Sequence, residues 1–120
     1  MYDHIGLKVK SLESSVRFYR AALGALGHVL LSQETESASF GPPGEPAFWV
    51  YLAKGPVGPG IHIAFRASER SEVDRFYRVG VEAGGTGHGA PGIRTQYGPD
   101  YYAAFLLDPD GNNIEAVCLR

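Results

Sequence analysis

His4, His62 and Glu115 are the side chains of this 120-residue chain whose types and placement suit a divalent ion. Two imidazoles and one carboxylate leave coordination positions open, a donor set that fits Fe(II), Mn(II), Ni(II) or Zn(II). Each residue alone has a plainer reading. A single histidine at a strand start usually sits at the surface or in a local hydrogen bond, and a glutamate in a terminal strand is usually solvated. What sets these three apart is an internal repeat and a shared strand face.

His4-Ile5 recurs as His62-Ile63, and Arg17-Phe18-Tyr19-Arg20 recurs as Arg75-Phe76-Tyr77-Arg78, each 58 positions further on. Gly27 and Gly85 keep the same offset. Seven identities in one register, in only two copies, predict a single domain of two paired halves rather than a stacked solenoid. Neither half alone has enough residues to bury a core.

Residues 3–9 (DHIGLKV) alternate, with Ile5, Leu7 and Val9 on one face and His4, Gly6 and Lys8 on the other, as in a half-buried strand. Ser11 is a helix N-cap, followed by Leu12, Val16, Tyr19, Leu23 and Leu26 at helical spacing, with Gly24 and Gly27 to end the helix. Strands are expected at 28–33, 37–41 and 47–53, with a turn at Gly41-Pro42-Pro43-Gly44. Residues 54–60 (KGPVGPG) have linker composition. They divide a first module, 1–53, from a second, 61–120, within one domain.

The second module repeats the order. A strand at 61–66 precedes a helix with Ser71 and Asp74 as capping box and Val73, Phe76, Tyr77 and Val81 as its apolar face. Gly84 to Gly92 reads as irregular, and strands follow at 93–97, 101–107 and 113–118, the last two joined by a tight Asp108-Pro109-Asp110-Gly111 turn. Each half is therefore βαβββ, and the fold class is α+β. His28 and His88 break the repeat beside glycines and read as loop residues.

Strand alternation places Ile5/Leu7/Val9, Ile61/Ile63/Phe65 and Ile114/Ala116/Cys118 beneath the helices. His4, His62 and Glu115 emerge on the opposite, uncovered faces. If the halves curve those faces into one groove, the three donors converge there.

Composition narrows the partners. A net charge of −2 offers no basic field for a phosphate backbone, so nucleic acid is not expected. The single Cys118 allows no intrachain disulfide, which fits a reducing cytoplasm. The start of the chain has neither a basic leader nor a long apolar run, so neither a signal peptide nor a membrane span is expected.

The duplicated βαβββ unit, the SLESSVRFYRAALG segment after an opening strand with His, and the closing LLDPDGNNIEAV resemble the vicinal oxygen chelate superfamily over essentially the whole chain. That superfamily includes glyoxalase I, bleomycin-resistance proteins, fosfomycin-resistance enzymes and extradiol dioxygenases. The resemblance implies a curved eight-stranded mixed sheet with helices on its convex face. It also implies one divalent metal ion on His4, His62 and Glu115, a small-molecule substrate, and a homodimer whose site can be completed across subunits. Lyase, isomerase, transferase and dioxygenase chemistry all occur in such a family. The alternative is a metal-free protein that sequesters a drug or metabolite, as bleomycin-resistance members do.

Departures from the family pattern are informative. Glyoxalase I resembles this chain but has a fourth ligand, a Glu from the last strand of the first half, where this chain reads Phe48-Trp49-Val50-Tyr51-Leu52. Tyr51, or Trp49 if the loop gap falls differently, matches that position, and neither supplies a carboxylate. Tyr51 is the catalytic candidate; with a phenol pKa of about 10 it is a weak base, which favours addition or oxygenation over proton shuttling. The three-ligand pattern is closer to fosfomycin-resistance and extradiol enzymes. Gly6 and Phe105, however, stand where those enzymes carry Thr and Tyr. Trp49, Tyr101 and Tyr102 are candidates to stack on a substrate, and Arg94 to hold an anionic group on it.

Overall fold

The computed structural model describes all residues, 1–120, and its element order is that of two βαβββ modules. The first contains β1 (Ile5–Val9), α1 (Leu12–Gly24), β2 (Val29–Gln33), β3 (Ser37–Gly41) and β4 (Phe48–Leu52). The second contains β5 (His62–Arg66), α2 (Arg70–Glu82), β6 (Thr86–Ile93), β7 (Tyr102–Leu107) and β8 (Asn113–Cys118). The eight strands are hydrogen-bonded as two four-stranded mixed sheets, ordered β1-β4-β3-β2 and β5-β8-β7-β6. In each sheet the first and last strands of the module run parallel and the others antiparallel. No helix is long and apolar enough to cross a membrane.

Ser11 caps α1 as expected: its backbone is extended and its hydroxyl accepts from the Ser14 amide at 3.2 Å. After α1, Gly27 takes φ +88°, and the His28 amide reaches back to the Leu23 carbonyl at 3.0 Å. The second helix departs from expectation. It begins at Arg70 with Glu69 as N-cap and no side-chain cap bond, so Ser71 and Asp74 form no capping box. Ser71 already lies inside the first turn, and Glu72 instead accepts from the Ser68 amide at 2.8 Å.

The glycine-rich stretch is not irregular either. It forms most of β6, paired to β7 with register shifts on either side of Gly89. His88 thus lies in a strand rather than a loop, and the strand expected at 93–97 stops at Ile93. Glycines suit this strand because neighbours crowd it. A Cβ at Gly87 would stand 2.3 Å from the Tyr77 hydroxyl. Loss of side chains at these positions erased the alternation by which a strand is recognised.

Leu7 and Val9 from β1, Phe18, Tyr19 and Leu23 from α1, and Phe76, Leu106 and Ile114 from the second module share one core of 21 buried residues. Phe48 and Phe65, from the covered faces of the two sheets, meet edge to face at 5.5 Å. Because these covered faces share a core, the open faces of the two sheets turn away from each other.

Between the helices the fit is tight. Gly80, not the 43% exposed Val81, occupies the buried position on α2. A Cβ there would lie 2.3 Å from a Leu106 methyl and 3.5 Å from the Phe18 ring. Gly80→Ala should therefore destabilise the fold by about 1–2 kcal/mol, overpacking outweighing the roughly 1 kcal/mol helix-propensity gain. Urea denaturation checks this, and a more stable variant would show that the seam yields easily.

Candidate functional site

Parallel pairing of β5 with β8 sets Ala64 opposite Glu115, which brings His62 beside Glu115 on the open face. His62 Nε2 lies 2.9 Å from Glu115 Oε1. The other carboxylate oxygen, Oε2, accepts from the Tyr101 hydroxyl. Glu115 is only 2% exposed although its strand face carries no helix, because these two rings cover it; the His62 side chain remains 53% exposed. The carboxylate is held in place while the imidazole is open to solvent.

Tyr101 comes from the turn that joins β6 to β7. The Arg94 amide donates to the Tyr101 carbonyl at 2.8 Å, and the Tyr97 ring packs on Tyr101 at 5.2 Å. Burial, the hydrogen bond to Glu115 and its negative charge push the Tyr101 phenol up to about 12. A phenol pKa raised above its unfolded value favours folding below about pH 10. That contribution is lost as pH rises through about 12. Ultraviolet titration should find a tyrosine ionising near pH 12 that disappears in Tyr101→Phe. If the substitution removes a transition near pH 10 instead, the phenol is not perturbed by its surroundings.

Phe105 lies across the strand from Glu115, with its ring 6.3 Å from that of His62. The Arg94 guanidinium sits 5.3 Å over Phe105 and donates to the Ala90 carbonyl at 2.7 Å. His62, Glu115, Tyr101, Phe105 and Arg94 thus form one patch. Tyr102 does not join it. As the next residue along the strand it points to the covered face, where its hydroxyl donates to Asp74 at 2.5 Å and Arg70 lies over its ring. Its nomination as a substrate contact is corrected: the residue buttresses α2.

On the other sheet, His4 Nδ1 donates to Asp3 Oδ1 at 2.7 Å. In the neutral ring this contact leaves the lone pair on Nε2. Sequence reading passed over Asp3, although a carboxylate adjacent to a candidate ligand is a recognisable orienting partner. The Tyr51 ring lies over Gly6, where an added Cβ would come within 2.8 Å of it. Trp49 and Tyr51 are parallel to within 4° at 6.0 Å, and the Lys8 ammonium stands 5.4 Å from the Tyr51 centroid. Trp49, Tyr51 and Lys8 therefore share the open face of the first sheet, while His4 stands immediately before β1.

The three nominated metal ligands are not gathered within one chain: no group of three or more such residues could hold an ion. The convergence expected of a single curved groove fails because the open faces diverge. His62 and Glu115 nevertheless fit a metal as a pair. Two ligand atoms at about 2.1 Å from one ion, at right angles, are about 3 Å apart. The 2.9 Å between Nε2 and Oε1 is a hydrogen bond here, and it is close to the spacing an octahedral ion would need.

Paired βαβββ modules with an imidazole–carboxylate pair on an uncovered sheet face define a class of small α+β proteins. This chain belongs to the Glyoxalase/Bleomycin resistance protein/Dioxygenase superfamily, whose family model matches residues 2–116. A glyoxalase/bleomycin resistance protein from Albidiferax ferrireducens is 31% identical, with 98% of each chain covered and a TM-score of 0.84. A glyoxalase/bleomycin resistance protein/dioxygenase family enzyme from Burkholderia phytofirmans shares the fold at 18% identity, 98% coverage of both chains and a TM-score of 0.77. A glyoxalase-related enzyme from Fulvimarina pelagi does so at 20% identity, with 95% of this chain and 84% of that chain covered and a TM-score of 0.74.

Proposed function

We propose that the protein is a divalent-metal-dependent enzyme acting on a small molecule with two neighbouring oxygens, its ion held by His62 and Glu115 of one chain and His4 of a second copy. The observation that carries this reading is the 2.9 Å His62–Glu115 pair, one member fixed and the other open to solvent. Within a chain the two open faces diverge, so a symmetric pair of chains is the simple way to set His4 over that patch. The stacked Trp49 and Tyr51 would then form an aromatic wall opposite Phe105 and Arg94.

The ion would act as a Lewis acid toward negative charge developing on a substrate oxygen. The chain's own residues do the rest. Tyr101 keeps Glu115 aligned, Asp3 keeps the His4 lone pair free, and Arg94 supplies a cation for an anionic substituent. Tyr51, a phenol, is suited to donate a proton rather than to abstract one. A metal-free sequestering protein is the second reading, supported by the stacked aromatic platform and by a Glu115 already satisfied by two partners.

Metal analysis after reconstitution separates the two readings. Stoichiometric uptake of a divalent ion by the wild type, lost in His62→Ala, is the expected result; no uptake by the wild type would leave the sequestering reading. Tyr101→Phe should keep the fold and weaken metal binding by about 10–100-fold, as expected when a ligand loses its orienting partner. Calorimetric titration with Mn(II) or Ni(II) measures this, and unchanged affinity would show that Tyr101 does not position Glu115.

A further inference from the structure

A cavity of about 270 Å³ lies beneath the chain's first residues, at the seam of the two modules and on the covered side of the sheets. Its walls are mainly hydrocarbon: Leu23 of α1, Phe40 and Phe48 of the first sheet, and Phe65 of the second. Tyr2 and Ile5 flank it, and both are substantially exposed. An apolar cavity of about 150 Å³ accommodates benzene, so this volume suits roughly ten non-hydrogen atoms.

Three polar residues reach this cavity: Asp3, His4 and His28. Asp3 and His4 are engaged with one another. His28 is different. Its Nδ1 is sealed from solvent and meets no hydrogen-bond partner. A proton on Nδ1 would be a buried donor without an acceptor, so the ring carries its proton on Nε2. Burial lowers the His28 pKa, against the raising pull of Glu72, and so disfavours the charged ring. The cavity therefore has mainly apolar walls, an imidazole among its lining residues, and a carboxylate, Asp3, that disfavours anions.

We propose that this cavity is a second small-molecule site, taking a neutral, flat, mainly apolar carbonyl compound whose oxygen accepts from His28 Nε2. The site goes beyond the metal-centre reading and does not depend on it. Its outer wall, Tyr2 to Ile5, includes His4, so occupancy would also steady that histidine.

The test uses the full chain, stripped of metal by a chelator, with methyl-resolved NMR and three probes. Acetophenone has the shape and the acceptor, ethylbenzene the shape alone, and benzoate adds a charge. Acetophenone should shift the Leu23 and Ile5 methyl resonances saturably. Ethylbenzene should bind about 3- to 10-fold more weakly, the value of one hydrogen bond, and benzoate more weakly than acetophenone. His28→Phe should make acetophenone and ethylbenzene equal, and Ala47→Phe, which fills the cavity from its rim, should abolish the shifts. The proposal is overturned if no probe gives saturable shifts, or if wild type binds acetophenone and ethylbenzene equally. It also fails if the shifts centre on Val117, on the open face of the second sheet. Loss of metal uptake in a separate experiment would leave all these outcomes unchanged, so the two readings fail independently.

Discussion

Mixing two variants that each fail to bind metal, His4→Ala and His62→Ala, is expected to restore about a quarter of wild-type metal uptake after subunit exchange. Each variant alone lacks a ligand in every site. Losing a direct ligand should cost more than the about 10–100-fold lost with an orienting partner. In a reassorted population, half of the pairs combine one variant of each kind. Such a pair has one site with both defects and one with none, because His4 comes from one chain and His62 with Glu115 from the other. Metal content of the mixture, measured after denaturant-assisted exchange, reads the result directly. If the donors belonged to a single chain, no mixture could assemble a complete set and uptake would stay at background. That outcome would sink the shared site, while retention of metal by His62→Ala alone would sink the metal centre itself.

The pairing of His62 with Glu115 was legible because it needs only strand alternation and a parallel register, both local to β5 and β8. His4 was legible by symmetry as a residue of the same kind. Its distance from His62 was not, because the relation of the two modules is set by packing between Phe48 and Phe65 and between α1 and α2. No periodicity reports such contacts. Tyr102 shows a related limit. Tyr101 and Tyr102 look alike in composition, and one residue of register decides which meets Glu115 and which meets Asp74. β6 was missed for a different reason: its glycines remove the side chains whose alternation marks a strand, while the backbone ladder to β7 persists. The α2 capping box failed because the helix begins at Arg70, one residue before the proposed cap.

Asp108→Ala is expected to be among the most destabilising single substitutions in the chain, at about 4 kcal/mol, although Asp108 lies in a turn. The Asp-Pro-Asp-Gly segment was notable in the sequence as a family-like turn; the structure shows why its first residue matters. Asp108 is 4% exposed and accepts four hydrogen bonds. Oδ1 takes the Asp110 amide at 3.0 Å and the Asn112 amide at 2.8 Å, which closes the turn before β8. Oδ2 takes the Asn112 side chain at 3.2 Å and the Tyr19 hydroxyl at 2.5 Å. Tyr19 is fully buried in α1, so this last bond ties the first module to the second. Burial, then the charge and hydrogen bond of Asp108, push the Tyr19 phenol far above its ordinary pKa and keep it a donor. Removing the carboxylate strands that hydroxyl in the core and frees two turn amides at once, each loss costing about 1–3 kcal/mol. Tyr19→Phe is the informative partner. It keeps the ring packed on Phe48 at 4.9 Å and leaves Asp108 with three donors, so it should cost only about 1–2 kcal/mol. Urea denaturation of both variants measures the difference, and Asp108→Ala should also lower Tm by about 15 °C. A loss below about 1 kcal/mol in Asp108→Ala would mean that water satisfies Tyr19 and the turn amides equally well, and that the modules are held by apolar packing alone.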